Sequence, residues 1–317
     1  MSKPRLIVTR RLPERVEAAL AADFDAEFNP ADTPATPARL AAAFAEADAV
    51  LCTAVDRVSA EAVGTAPRAR IVATFSVGFN HLDLDACRAA GVAVTNTPGV
   101  LTEATADIAM ALILMTARRL GEGERLVRAG LWTGWAPTQL LGTDISGRTL
   151  GIVGMGRIGQ ATARRAHYGF GMKVIFANRS AVDPGFPAER VPLETLMETA
   201  DVVSVHAPGG GANAGLISGP LMARMKPSAL LVNTARGDVV DENALISLLE
   251  SGGIAGAGLD VYAEEPRVPE ALMRLENVVL LPHMGSATVA TREAMGMTCH
   301  RNLTAFFAGE APPDRIA

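Results

Sequence analysis

The sequence predicts an α/β protein with two domains, each built on a parallel sheet. Two regularities carry that prediction. Short apolar runs of strand length recur along the chain, with helical patterns between most of them, and this alternation is the signature of a parallel sheet. A glycine-rich turn near the middle then opens a second series of strand and helix patterns, and 317 residues are enough for two cores.

Composition narrows the class. Hydrophobic residues make up 49% and charged residues 20%, the balance of an ordinary folded protein, and a net charge of −5 gives no reason to expect nucleic acid as a partner. Cys52, Cys87 and Cys299 are widely spaced and form no C-x-x-C pair, so neither a disulfide framework nor a metal site is expected. The N-terminus, MSKPRLIVTR, lacks the apolar core of a signal peptide. The most apolar segment, 108–117, is too short to span a bilayer and runs into Arg118-Arg119. No membrane association is expected, and the expected location is cytoplasmic.

Taken in order, residues 5–9 read as a first strand and 13–22 as a helix. Thr36-Pro37 starts a second helix, with proline at its first position, that runs to Ala47. Residues 49–53, 71–75 and 92–95 read as buried strands, with short helical patterns at 59–66 and 83–90. The pattern over 101–129 predicts one long helix bridging the two domains, with Gly130 as its stop. An irregular stretch, 131–147, contains Trp132, Trp135 and Pro137. Six strand patterns follow, at 149–153, 173–178, 201–206, 229–235, 256–261 and 278–282, the count of a full dinucleotide-binding sheet. Helical patterns lie at 193–200, 221–225 and 241–251, and a last one at 288–307 is expected to pack elsewhere.

The organising stretch is Leu150 to Ala161, LGIVGMGRIGQA. Gly154, Gly156 and Gly159 fit G-x-G-x-x-G between a strand and a helix. The first glycine permits the tight turn, the second lets backbone approach a pyrophosphate, and the third packs helix on strand. The helix N-terminus offers free N–H groups and a positive dipole end to the phosphates.

Polar groups cluster at the ends of the later strands, the edge where open parallel sheets bind ligands. Arg236, Glu265 and His283 follow three successive strands. Singly, they read as a surface ion-pair former, a solvated carboxylate and a core histidine. Together, beside a cofactor turn, they suit reduction of a keto acid. Arg236 would fork to the substrate carboxylate and carbonyl. His283 would be the general acid as hydride reaches the carbonyl carbon, and Glu265 would hold the imidazolium.

These residues resemble those of the D-isomer-specific 2-hydroxyacid dehydrogenases, nearest to the glyoxylate/hydroxypyruvate reductase branch. The resemblance rests on Gly78–Asp83, Thr95–Gly99 with Glu103–Asp107, Gly154–Gly159, Val205–Pro208, Asn233–Gly237, Gly258–Val261 with Glu265-Pro266, and His283–Ser286. It covers about residues 70 to 290; the first seventy match only in pattern. It implies two Rossmann-like domains, with a dinucleotide-binding domain (100–284) inserted into a discontinuous flavodoxin-like substrate domain (1–99 and 285–317), joined by hinges. It also implies the roles already given for Arg236, Glu265 and His283, and a homodimer formed largely through the cofactor domains.

Under the same resemblance, backbone amides of Ser76-Val77-Gly78 grip the substrate carboxylate. Thr105, Arg157, Ile158, Pro208, Thr234 or its neighbour Ala235, and Asp260 match positions that contact the cofactor. His283 and Gly285 border it. His206, at a strand end near the cofactor, is expected to border it, as a structural residue or one behind the reacting groups rather than a catalytic one. Trp135 matches a tryptophan that lines the active site in related reductases, across the dimer, although simple interface packing explains it equally well. Met284, Met295 and Met297 are expected to fill core.

One departure bears on the cofactor. NAD-preferring members carry an acidic residue at the end of the strand after the glycine turn, and here that position is Asn178, followed by Arg179-Ser180. A carboxylate repels a 2′-phosphate, whereas Asn, Arg and Ser can bond it, so NADP is expected with NAD as second choice. The expected reaction is reduction of glyoxylate or hydroxypyruvate to the D-2-hydroxy acid. The alternatives are a bulkier, phenylpyruvate-type acid and a non-catalytic, dinucleotide-sensing corepressor.

Overall fold

A computed structural model describes residues 2–317. The chain forms two compact units: one runs to Leu101 and resumes at Ser286–Ala317, and the other is Thr102–Gly285.

The first unit contains β1 (Arg5–Val8), α1 (Glu14–Asp23), β2 (Asp25–Glu27), α2 (Pro37–Glu46), β3 (Ala49–Thr53), α3 (Ala60–Val63), β4 (Ile71–Phe75), α4 (Leu84–Ala89) and β5 (Ala93–Thr95). Its sheet runs β2-β1-β3-β4-β5 with parallel neighbours, the flavodoxin-like order. β3 and β4 are buried along almost their whole length, which is why they read as continuous apolar runs. Polar residues start three of the helices: the side chains of Thr36, Ser59 and Asp83 each accept a backbone N–H at an N-terminus.

The second unit contains α5 (Thr102–Ala117), α6 (Leu120–Arg128), β6 (Thr149–Val153), α7 (Arg157–Phe170), β7 (Lys173–Ala177), β8 (Glu189–Arg190), α8 (Leu193–Thr199), β9 (Val202–Val205), α9 (Gly219–Met222), β10 (Leu230–Asn233), α10 (Glu242–Glu250), β11 (Gly256–Leu259), α11 (Glu270–Arg274) and β12 (Val278–Leu280). Its seven-stranded parallel sheet runs β12-β11-β10-β9-β6-β7-β8. The strand order reverses between β6 and β9, so the crevice of a dinucleotide fold opens where the glycine turn lies. Two apolar clusters form this unit's cores: one contains Leu196, Val203, Leu231 and Leu245, and the other Leu112, Ile113, Leu150 and Phe176. The last helix, α12 (Val289–Phe307), returns to the first unit and packs on α1 and β4.

The structure corrects four expectations. The pattern over 101–129 is two helices, because Arg119 takes the left-handed conformation (φ 52°) between them. The charged pair Arg118-Arg119 faces solvent, so burial does not enforce continuity there. The first of the two, α5, is not a bridge: it belongs to the second unit and packs on α7, β10, β11 and β12. The sheet has seven strands rather than six, since β8 adds two exposed residues with no apolar signal. β2, also mostly exposed, and the five-residue α11 lack a sequence signal for the same reason. Met284 is 37% exposed and is not core, whereas Met295 is buried.

Candidate active site

The glycine turn joins β6 to α7. Gly154 has φ 95°, and a Cβ there would lie 2.8 Å from the backbone nitrogen of Ala207, so the turn closes on the end of β9. A Cβ on Gly159 would lie 2.3 Å from the Gly154 carbonyl oxygen, the close helix-on-strand contact that the third glycine permits. Around Gly156, at the α7 N-cap, the equivalent position is open. No side chain caps α7 and no acidic residue stands in its first turn, which holds Arg157, Ile158 and Gly159. The cradle therefore fits a dinucleotide pyrophosphate: open above the second glycine, cationic, and lined by first-turn N–H groups.

Asn178, just past β7, is tied into this turn. Its Oδ1 accepts the Met155 N–H at 3.1 Å and its Nδ2 donates to the Ser180 carbonyl at 2.9 Å. Both ends of the amide are thus engaged internally, and the exposed Arg179 and Ser180 are the side chains turned out of the loop. Arg190 on β8 was not anticipated. Its Nη2 donates to the carbonyls of Asn178 (2.7 Å) and Arg179 (3.0 Å), fixing the loop from the neighbouring strand. An isolated arginine in a polar stretch carries no sequence signal for that role.

β10, β11 and β12 are consecutive neighbours, so the loops that follow them share one edge. Arg236 follows β10, and Gly237 lets its loop lie against the next strand's continuation: a Cβ there would fall 1.9 Å from the Tyr262 carbonyl carbon. Burial lowers the Arg236 pKa, while the charges of Glu265 and Asp238 work against that shift. Arg236 Nη1 donates to the Ala235 carbonyl at 2.7 Å. Thr234 beside it is buried.

Glu265 Oε2 lies 2.7 Å from His283 Nδ1. Burial alone would raise the Glu265 pKa; the hydrogen bond and charge of His283, the Tyr262 N–H and Arg236 outweigh it and hold the carboxyl below its usual range. An ionised acceptor makes Nδ1 the donor, which leaves Nε2 as the ring position for proton exchange.

His283 has φ 52°, a left-handed conformation uncommon outside glycine. Asp260 holds the turn that imposes it, accepting the N–H groups of Met284 (2.6 Å) and Gly285 (2.8 Å). Burial raises the Asp260 pKa against those hydrogen bonds. Thr105 Oγ1 donates to the Gly285 carbonyl at 3.1 Å, so Thr105, Asp260 and Gly285 form one buried cluster.

His206 follows β9. Its Nε2 lies 2.9 Å from Ser204 Oγ, its Nδ1 is buried without a partner among the described residues, and burial lowers its pKa to about 4. Burial thus favours the neutral ring at neutral pH. Pro208, two residues on, is exposed and its carbonyl accepts from Asn213 Nδ2 at 2.9 Å.

Val77 and Gly78 lie in the first unit, after β4. Asn96 Nδ2 donates to the Val77 carbonyl at 2.8 Å and Ser76 Oγ to the Gly78 carbonyl at 2.6 Å. Thr74 Oγ1 lies 2.9 Å from both Ser76 Oγ and His81 Nε2, extending the support beneath the loop. No local sequence pattern marks Asn96, Thr74 and His81 as supports of this loop. Trp135 is 82% exposed on the irregular stretch after α6. Among the described residues no group of three or more His, Cys, Asp or Glu side chains is placed to hold a metal, and no helix is long and apolar enough to cross a membrane.

The chain is similar to known proteins along its whole length. The family model of the D-isomer specific 2-hydroxyacid dehydrogenase NAD-binding domain matches residues 110–285. A glyoxylate reductase of Thermococcus litoralis is 44% identical over 323 residues, covering 99% of this chain and 97% of its own length. Among solved structures, a protein from Thermus thermophilus has a TM-score of 0.91 at 42% identity, covering 99% of this chain and 100% of that one. The NADPH-dependent glyoxylate/hydroxypyruvate reductase of Sinorhizobium meliloti, solved with NADP and malonate, has a TM-score of 0.90 at 36% identity, covering 100% of this chain and 97% of that one.

Proposed function

The chain belongs to the D-isomer-specific 2-hydroxyacid dehydrogenases, and from that premise we propose that it reduces glyoxylate or hydroxypyruvate with NADPH. The observation that carries the reading is the Glu265–His283 pair at 2.7 Å, one strand removed from a half-buried arginine. Relatives called glyoxylate reductase over the full chain support the substrate class.

In this reading Arg236 binds the keto-acid carboxylate and carbonyl. The bound nicotinamide supplies hydride to the carbonyl carbon. His283 delivers a proton from Nε2 to the carbonyl oxygen. Glu265 accepts from Nδ1 throughout, fixing the tautomer and stabilising the imidazolium. Asp260 keeps the His283 turn in place, and the α7 N-terminus holds the pyrophosphate.

The NADPH preference rests on Arg179 and Ser180, exposed where a carboxylate would repel a 2′-phosphate. We also propose a homodimer that covers the exposed apolar stretch of Val127, Leu131, Trp132, Trp135 and Leu141. A cytoplasmic setting suits the three free, buried cysteines.

Initial rates with glyoxylate and hydroxypyruvate, each with NADPH and NADH, test the proposal. Rapid NADPH oxidation with much slower NADH is expected. Arg179→Ala should weaken NADPH binding and leave NADH nearly unchanged; equal losses for both would remove the 2′-phosphate argument. No turnover with either acid would point to a bulkier substrate or a sensor.

A further inference from the structure

Asp238 sits where the loop after β9 meets Arg236. A Cβ on Gly209 would lie 2.5 Å from Asp238 Oδ1 and 2.7 Å from Arg236 Cγ, so the absent side chain lets the carboxylate lie beside the aliphatic stem of the arginine. The Asp238 Oδ2 accepts the Gly210 N–H at 2.7 Å. Its Oδ1 is buried, and no donor among the described residues reaches it. A loop strut needs only the first of these oxygens. The second is a desolvated oxygen without a hydrogen bond, an unfavourable arrangement unless a nearby positive charge compensates it. Arg236 is that charge, and Asp238 in turn favours its protonated form.

We infer that Asp238 sets the charge of substrate the site accepts, restricting it to acids with a single carboxylate. The inference rests on the reading of Arg236 as the partner of the substrate carboxylate. Asp238 adds one negative charge beside the arginine that holds the substrate carboxylate. Each carboxylate on the substrate meets that charge in a poorly screened site, so a dianion is repelled by it about twice as strongly as a monoanion. Removing the charge therefore relieves a dianion more than a monoanion. Asp238 thus selects against a second carboxylate by charge, independently of pocket size.

Oxamate and oxalate make the test, because they match in shape and carry one and two negative charges. Their dissociation constants are measured on the dinucleotide-loaded protein, for wild type, Asp238→Asn and Asp238→Ala. Asn keeps an acceptor for the Gly210 N–H and removes only the charge; Ala removes both and stands in if Asn folds poorly. The expected result is that charge removal tightens oxalate relative to oxamate by roughly tenfold. A ratio unchanged within about twofold in a folded variant means that Asp238 is a loop strut alone and overturns the inference. Binding of neither anion by wild type overturns it together with the assignment of Arg236. Lack of turnover on glyoxylate with the anion ratio still shifting refutes the proposed reaction and leaves the charge selection standing.

Discussion

His283 is the residue on which the site turns, and the structure shows what it takes to hold it there. Its left-handed backbone costs on the order of 1–3 kcal/mol, and the Asp260 hydrogen bonds to the next two N–H groups offset that cost. Glu265 then fixes the ring from one side only, leaving the other nitrogen for chemistry. His283→Ala should lower turnover by at least about a hundredfold with cofactor binding preserved. A near-wild-type rate would remove it as the proton donor. Glu265 sits below the usual carboxylate range, so its contribution to the pair is present at neutral pH and is lost only as the medium becomes acidic enough to protonate it. Glu265→Gln removes the charge beside the ring while keeping an oxygen that can accept from Nδ1, so turnover should fall with dinucleotide affinity preserved. Unchanged turnover would contradict this. Arg236, Glu265 and His283 were legible because three successive strands end in them. Asp238 was not, because the Gly209 gap beside it and the Gly210 N–H that it accepts come from a distant loop.

The turn from β6 to α7 is the element whose sequence and structure agree most closely. Each glycine has its own reason: a positive φ at Gly154, an open approach at Gly156, and a helix–strand contact at Gly159. Gly159→Ala places a methyl group against the Gly154 carbonyl and must push α7 off β6. It should lower the melting temperature by several degrees and weaken both dinucleotides together; a stable variant with unchanged Michaelis constants would refute this account. Elements with buried apolar runs, such as β3, β4 and β6, are legible at their true bounds. Exposed edge strands give no such signal, and β2 and β8 form because a neighbour offers free backbone groups. The break at Arg119 is hidden because the helical pattern resumes immediately after it.

Across the whole molecule, buried titratable groups tie stability to pH. His206 is neutral in the folded chain, with its pKa lowered to about 4 by burial, and titrates in its ordinary range when unfolded. Between those values the unfolded chain binds the extra proton, so acidification destabilises the fold and raising the pH restores it. His206→Asn should therefore lose less thermal stability than wild type between about pH 7 and about pH 5; parallel losses would assign the acid sensitivity to other groups. The sequence by itself determined the fold class, the glycine turn and the placement of Arg236, Glu265 and His283 after three strands, because these depend on local patterns: apolar runs, glycine spacing, and polar residues at strand ends. Only the tertiary structure decided the strand orders of the two sheets, the engagement of Asn178, the clamp from Arg190, and the meeting of Asp238 with Arg236 at Gly209. Those depend on which distant segments share an edge, and packing between elements, rather than the pattern within any one of them, fixes that.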